Sequence, residues 1–185
     1  MKEKIREILE IVKAKCEERD WKYHILPVVE YSKLLARRLN SDEEIAELAA
    51  LLHDIAWIES MENDPEHETI GIPIAEKMLK ELGFPEEIIE EIKHCVASHR
   101  GSSGTPPKTI TAKIIANADA MSHFDNIPYL IQIGLKNNNN DLEKAVKWVY
   151  EKIERNWDKK LTLPEAREMM EEKYKAIKIV LGSMK

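Results

Sequence analysis

The chain has 185 residues, 43% of them hydrophobic and 34% charged, with 34 acidic side chains against 28 Lys and Arg for a formal net charge of −6. That apolar fraction excludes a disordered chain, and the length suits one domain, residues 1–185, with a real core. Six Gly are too few for a turn-rich all-β protein, and the acidic balance gives no general electrostatic reason to bind nucleic acid.

Taken in order, the chain reads as helical almost throughout, which predicts an all-α helical bundle. Met1 to about Arg19 carries Ile5, Ile8, Leu9, Val12 and Cys16 on one stripe, as an amphipathic helix does. A short break at Trp21–Tyr23 is expected before a second helix, His24–Leu39, with His24, Val28, Tyr31 and Leu35 on one face. Ser41 or Asp42 caps a third helix that runs to about Ile58. This helix is apolar nearly all round, so it should be central and buried. Glu59–Glu66 reads as a polar loop ending in Asp64-Pro65. Glu66–Leu82 reads as a helix, bent at Pro73, with Gly83 at its C-cap. Pro85 opens a fifth helix to about His99, and Arg100–Lys108 is a Gly/Ser/Pro loop. Thr109–Phe124 is a sixth helix, and shorter pieces follow around Pro128–Leu135. A turn at Asn137–Asn140 precedes the last two helices, Leu142–Asn156 and Pro164–Leu181.

No apolar h-region marks a signal peptide at the N-terminus, and no apolar run approaches membrane-spanning length. Cys16 and Cys95 belong to no C-x-x-C motif and read as reduced thiols, so a cytoplasmic protein is expected.

The anomaly is in the third helix. In Leu51-Leu52-His53-Asp54-Ile55-Ala56-Trp57 an imidazole and a carboxylate interrupt a core segment. A buried carboxylate needs a partner, because leaving it unpaired costs several kcal/mol. His24 also faces an apolar stripe, and Asp119 lies one turn after Ile115 on a surface that should be buried. Three helices thus bring metal-capable groups to apolar faces that must meet. Two imidazoles and two carboxylates make a mixed N/O site for a divalent metal, which would supply the charge that Asp54 and Asp119 lack.

The order His24, His53-Asp54, Asp119 on successive helices resembles the HD domain of metal-dependent phosphohydrolases, over roughly residues 23–124. Helices from residues 126–185 would pack on that part. The resemblance implies a helical fold with one or two metal ions in its core. In the dinuclear branch two further histidines stand between the His-Asp pair and the last Asp. His67, in His67-Glu68-Thr69-Ile70-Gly71, is similar to a His-x-x-x-Gly helix start found in HD-class dinucleoside polyphosphate hydrolases. Its alternative reading is an exposed helix-start residue among acids. His99 follows Ile88, Ile92 and Cys95 on a core stripe. His94 is its competitor, five residues earlier and about 140° around the helix. His123 reads as a surface or outer residue.

Such a site implies hydrolysis of a phosphomonoester or phosphoanhydride of a small phosphorylated molecule, a nucleotide or dinucleotide. A divalent cation brings the pKa of bound water to about 7, and a second helps hold the phosphoryl oxygens. Asp54 would be the bridging carboxylate. His24, His53, Asp54 and Asp119 would make the first site, and Asp54, His67 and His99 the second, with His94 open to it. Mn, Fe, Mg, Ni, Co and Zn are not distinguished. Arg100, beside the glycines of the following loop, is a candidate catalytic residue that would donate hydrogen bonds to the substrate's phosphate. The pair departs from many relatives in being followed by Ile55-Ala56-Trp57-Ile58-Glu59 rather than by a Gly and a charge, and no Gly-Tyr-Pro signature follows. A diiron HD-type oxygenase and a non-catalytic metal or nucleotide binder are the alternatives.

Overall fold

A computed structural model describes residues 1–60, 67–100 and 104–183, and among these there is no strand. In chain order the helices are α1 (Lys2–Lys15), α2 (Glu18–Asp20), α3 (Leu26–Arg38), α4 (Glu43–Leu52), α5 (Ile55–Ser60), α6 (His67–Glu81), α7 (Glu86–Ser98), α8 (Ile110–Asp125), α9 (Ile127–Asn137), α10 (Leu142–Arg155) and α11 (Pro164–Gly182). Two wide π turns, Trp21–Ile25 and Asn156–Lys160, join α2 to α3 and follow α10. No described helix is long and apolar enough to cross a membrane.

Three departures from the sequence reading shape the site. The first helix stops at Lys15, where Cys16 turns extended, and the expected break at Trp21–Tyr23 is instead a π turn running into α3. Pro27 explains the wide turn. It has no N–H for the carbonyl four residues back, and its ring crowds that carbonyl. Next, the third helix is two helices. Asp42 caps α4 by accepting from the N–H groups of Glu44 (2.8 Å) and Ile45 (3.1 Å), but the helix stops after Leu52 and α5 begins at Ile55. Finally, the pieces expected around Pro128–Leu135 are one helix, α9. The loop predicted over Glu59–Glu66 starts later than expected, since Glu59 and Ser60 still belong to α5; the rest of it, 61–66 with Asp64-Pro65, lies outside the described residues, as do Gly101, Ser102 and Ser103.

Other punctuation is where sequence chemistry puts it. Gly83 ends α6 at φ 65°, a backbone that costs glycine little. Asn139 and Asn140 take the left-handed region at φ 52° and 61°, which Asn tolerates better than most residues. Thr109 caps α8 through Ala112 N–H (3.1 Å), and Asp141 caps α10 through Lys144 N–H (3.1 Å).

Helices α4 and α8 form the centre. Leu48, Leu51, Leu52, Ile114 and Ile115 are fully buried, and α8 is enclosed from Thr111 to Phe124 except at Lys113. Alanines at 112, 116, 118 and 120 let neighbours approach α8 closely, and α3 packs along both central helices. Gly71 does the same for α6. A Cβ there would lie 3.0 Å from Val96 on α7 and 3.5 Å from Ile55 on α5. His67, one turn before Gly71 on the same helix face, is carried inward by that contact.

Candidate functional site

Local interruptions of helix position most of the site. His24 sits in the first π turn, His53 and Asp54 in the break between α4 and α5, and His67 at the start of α6. His99 lies just past α7, and Asp119 and His123 lie one turn apart on α8. Such interruptions release backbone groups that regular helix would consume, and three imidazoles are oriented by neighbouring oxygens. His53 donates Nδ1–H to the Ala50 carbonyl (2.7 Å) and His99 donates Nδ1–H to the Val96 carbonyl (2.7 Å). Ser122 donates its hydroxyl proton to the Asp119 carbonyl (2.7 Å), so its oxygen accepts Nδ1–H of His24 (3.2 Å). Each ring therefore turns an Nε2 lone pair into one centre, the arrangement that outer hydrogen bonds give metal-binding histidines.

Asp54 lies between them. Its Oδ2 is 3.1 Å from His24 Nε2 and 3.4 Å from His53 Nε2, while Oδ1 is 3.2 Å from His99 Nε2 and 3.4 Å from His67 Nε2. The two pairs of rings also touch, His24 to His53 at 3.3 Å and His67 to His99 at 3.2 Å between Nε2 atoms. Despite those short separations, the buried Oδ1 accepts no hydrogen bond. His99 has already given its proton to Val96, so lone pair faces lone pair. A cation would satisfy that contact, and the imidazole and carboxylate donors suit a divalent metal. Burial works against a charged His53, yet the Asp54 carboxylate outweighs it and pushes this imidazole up to about 9. The position therefore selects for positive charge.

The described His, Asp, Glu and Cys side chains form three ligand-sized groups: His24, His53 and Asp54; Asp54, His67 and His99; and His24, Asp119 and His123. The structure thus brings together six of the seven residues singled out as ligands. His94 stands apart. Its Nε2 accepts the Lys108 N–H at 2.9 Å, where it holds the approach to α8, as its rotation around α7 away from His99 requires. Arg100 points along α6, with Nη1 3.2 and 3.3 Å from the Glu68 carboxylate oxygens, and it is not among the described residues that line the cleft.

Two residues were missed or misread. His123 is not a surface residue: it is 7% exposed, stacks on His24 at 5.6 Å between centroids, and puts Nε2 3.9 Å from Asp119 Oδ1. Its Nδ1 is 2.9 Å from the Asn156 amide nitrogen. Burial, then the Lys152 ammonium, hold its pKa well below the usual histidine range, so the ring is neutral at neutral pH. The spacing Asp119-x-x-x-His123 was the available signal, since residues four apart share a helix face. Lys160 is the other, and it supplies part of the positive charge that the sequence reading expected a metal to bring to Asp119. Its ammonium, in the second π turn, donates to Asp119 Oδ2 at 2.8 Å. Burial pushes the Asp119 pKa up, but Lys160, His123 and His24 outweigh it and hold the carboxyl well below the usual range. Oδ1 remains turned toward His24 at 3.8 Å. Replacing Lys160 by Met should destabilise the chelator-treated protein by about 3 kcal/mol, the cost of breaking a buried pair on one side. A urea midpoint like that of the wild type would show that Asp119 does not depend on this lysine.

Above these groups is a cleft of about 790 Å³. Its floor includes His24, Asp54, His67 and His123, and its walls include Trp57, Tyr129, Trp148 and Lys152. That volume is in the usual range for a small-molecule site.

The family model for the HD domain matches residues 21–123. Ribonuclease Y of Desulforudis audaxviator is 34% identical over 99 residues, 54% of this chain and 17% of that protein. Ribonuclease Y of Bacillus thuringiensis strain Al Hakam matches to the same extent. The chain thus spans under a fifth of the length of these curated relatives. Among solved structures, Bacillus subtilis YpgQ in complex with ADP superposes with a TM-score of 0.77 at 19% identity, covering 98% of this chain and 93% of that one. A protein from an uncultured Thermotogales bacterium, described as a predicted HD superfamily hydrolase, superposes at 0.65 with 25% identity, covering 96% and 89%. The match over more than half the chain and the shared all-helical fold lead to one family: this protein belongs to the HD-domain phosphohydrolases.

Proposed function

We propose that the chain hydrolyses a phosphoanhydride or phosphoester bond of a small nucleotide, with two divalent cations bridged by Asp54. The observation that carries this is the buried Asp54 Oδ1, which accepts no hydrogen bond yet faces the His99 and His67 nitrogens at 3.2 and 3.4 Å. His24, His53, Asp54 and Asp119 would hold the first cation, and Asp54, His67 and His99 the second. When bound, divalent cations lower the pKa of water to about 7 and neutralise phosphoryl oxygens. The chain's own work is positioning. Ala50, Val96 and Ser122 fix the imidazole tautomers, and Lys160 occupies one oxygen of Asp119 so that the other stays turned inward. The ADP in the YpgQ complex, a protein of the same fold, supports a phosphoanhydride substrate.

A second reading, cleavage of an RNA phosphodiester, is favoured by the ribonuclease Y relatives. The net charge of −6 argues against a polyanion, whose binding depends on neutralising many phosphates. The test is anaerobic incubation of the Mn-loaded protein with ATP, ADP and an RNA oligonucleotide. Release of phosphate or pyrophosphate from the nucleotides supports the proposal. Fragmentation of the oligonucleotide alone favours the second reading, and no turnover of any phosphorylated compound overturns both.

Ser122→Ala removes the acceptor of His24 Nδ1–H without touching the centre. Loss of such an outer partner costs roughly 10–100-fold in metal affinity. Titration against a competing chelator should show that loss, and unchanged affinity would deny His24 its role.

A further inference from the structure

The helical hairpin α9–α10 lines the cleft that also holds His24, Asp54 and His67. It is closely seated: a Cβ on Gly134 would meet the backbone and side chain of Ala145 at 3.1 Å, so α9 lies directly on α10. At its tip, Asn137, Asn139 and Asn140 reach the cleft as uncharged hydrogen-bonding groups. On α10, Trp148 and Lys152 are one turn apart on the same face, with the Lys152 ammonium 5.7 Å from the Trp148 ring centroid, and both line the cleft.

Lys152 is unusual among the lysines here. It is half-buried, yet it makes no hydrogen bond or ion pair with any described residue, whereas its neighbour Lys160 is paired with Asp119. Burial, then the Lys160 ammonium, push Lys152 down to about 8. A cation taken partly out of water without a carboxylate is unfavourable unless something anionic comes to it. The metal-ligand set already provides for one phosphoryl group, so a second cation in the same cleft fits a second one. The indole beside it offers a flat apolar surface of the kind on which bases stack.

We propose that Lys152 and Trp148 form a subsite for a second phosphate and a planar base, so that the substrate of this cleft is a nucleoside di- or triphosphate. The substrate class rests on the phosphohydrolase reading above, whereas the subsite is testable by binding alone. Lys152→Ala should weaken the calorimetric affinity for a non-hydrolysable ATP analogue by about tenfold, as loss of one charge-assisted phosphate contact would. It should raise KM for ATP to a similar degree while kcat holds, the pattern of lost uniform binding. Lys152→Arg should restore most of the affinity. Trp148→Ala should weaken the ATP analogue but not inorganic tripolyphosphate. Equal affinity of wild type and Lys152→Ala for the ATP analogue, with both folded by circular dichroism, overturns the subsite. A wild type that binds the analogue through Lys152 but hydrolyses nothing upholds the subsite and refutes the phosphohydrolase reading.

Discussion

Asp54→Asn is expected to lower phosphohydrolase turnover by roughly 10³-fold or more, since metal-assisted activation of water and charge neutralisation are both lost, and to leave the purified protein without metal at either position. The substitution keeps the shape of the side chain and removes one charge. In the wild type, both carboxylate oxygens are committed, Oδ2 toward His24 and His53 at 3.1 and 3.4 Å and Oδ1 toward His99 and His67 at 3.2 and 3.4 Å. Among the described residues, Asp54 is the ligand-type side chain shared by the His24–His53 and His67–His99 groups. The amide of Asn can donate to the imidazole lone pairs it would face, so the fold should survive and a melting curve in chelator should stay close to that of the wild type. Metal analysis and phosphate release are the measurements. A variant that keeps its metal would remove Asp54 from the centre.

His99→Ala should act on one half of the site. His99 and His67 meet only Oδ1 of Asp54, while His24 and His53 meet Oδ2. Loss of His99 should therefore leave one cation per chain and lower turnover by about 10²-fold, less than the loss of the bridge. His94→Ala is the matched control. It removes the acceptor of the Lys108 N–H, worth about 1 kcal/mol of stability, and should leave metal content unchanged. Loss of metal in His94→Ala, with retention in His99→Ala, would reverse the assignment of the two rings.

Much of this arrangement was legible because burial makes polar residues conspicuous. His53 and Asp54 stand out in an apolar run, and helical phase places His24, His99 and Asp119 on inward faces. The structure brings all five together with His67. What phase could not supply is the effect of interruptions. Consecutive residues on a continuous helix point about 100° apart, so the sequence reading of one helix through 53 and 54 could not say how both side chains reach one centre. The break after Leu52 does that. Lys160 was hidden for a related reason. The run after Asn156, up to Lys160, lies between the last two predicted helices, where helical phase gives no direction, and a π turn carries its last residue back to Asp119. His123, read as a surface or outer residue, was legible from its spacing to Asp119, one turn away on the same helix face. The role of Gly71 is a matter of distance between helices, which no single-chain pattern encodes.

The central claim is a pair of cations bridged by Asp54, and metal stoichiometry addresses it most directly. Protein equilibrated with Mn and freed of excess should be analysed by mass spectrometric metal determination beside the His99→Ala variant. The account predicts two ions per wild-type chain and one per variant chain. A single ion in the wild type, retained unchanged without His99, would contradict it.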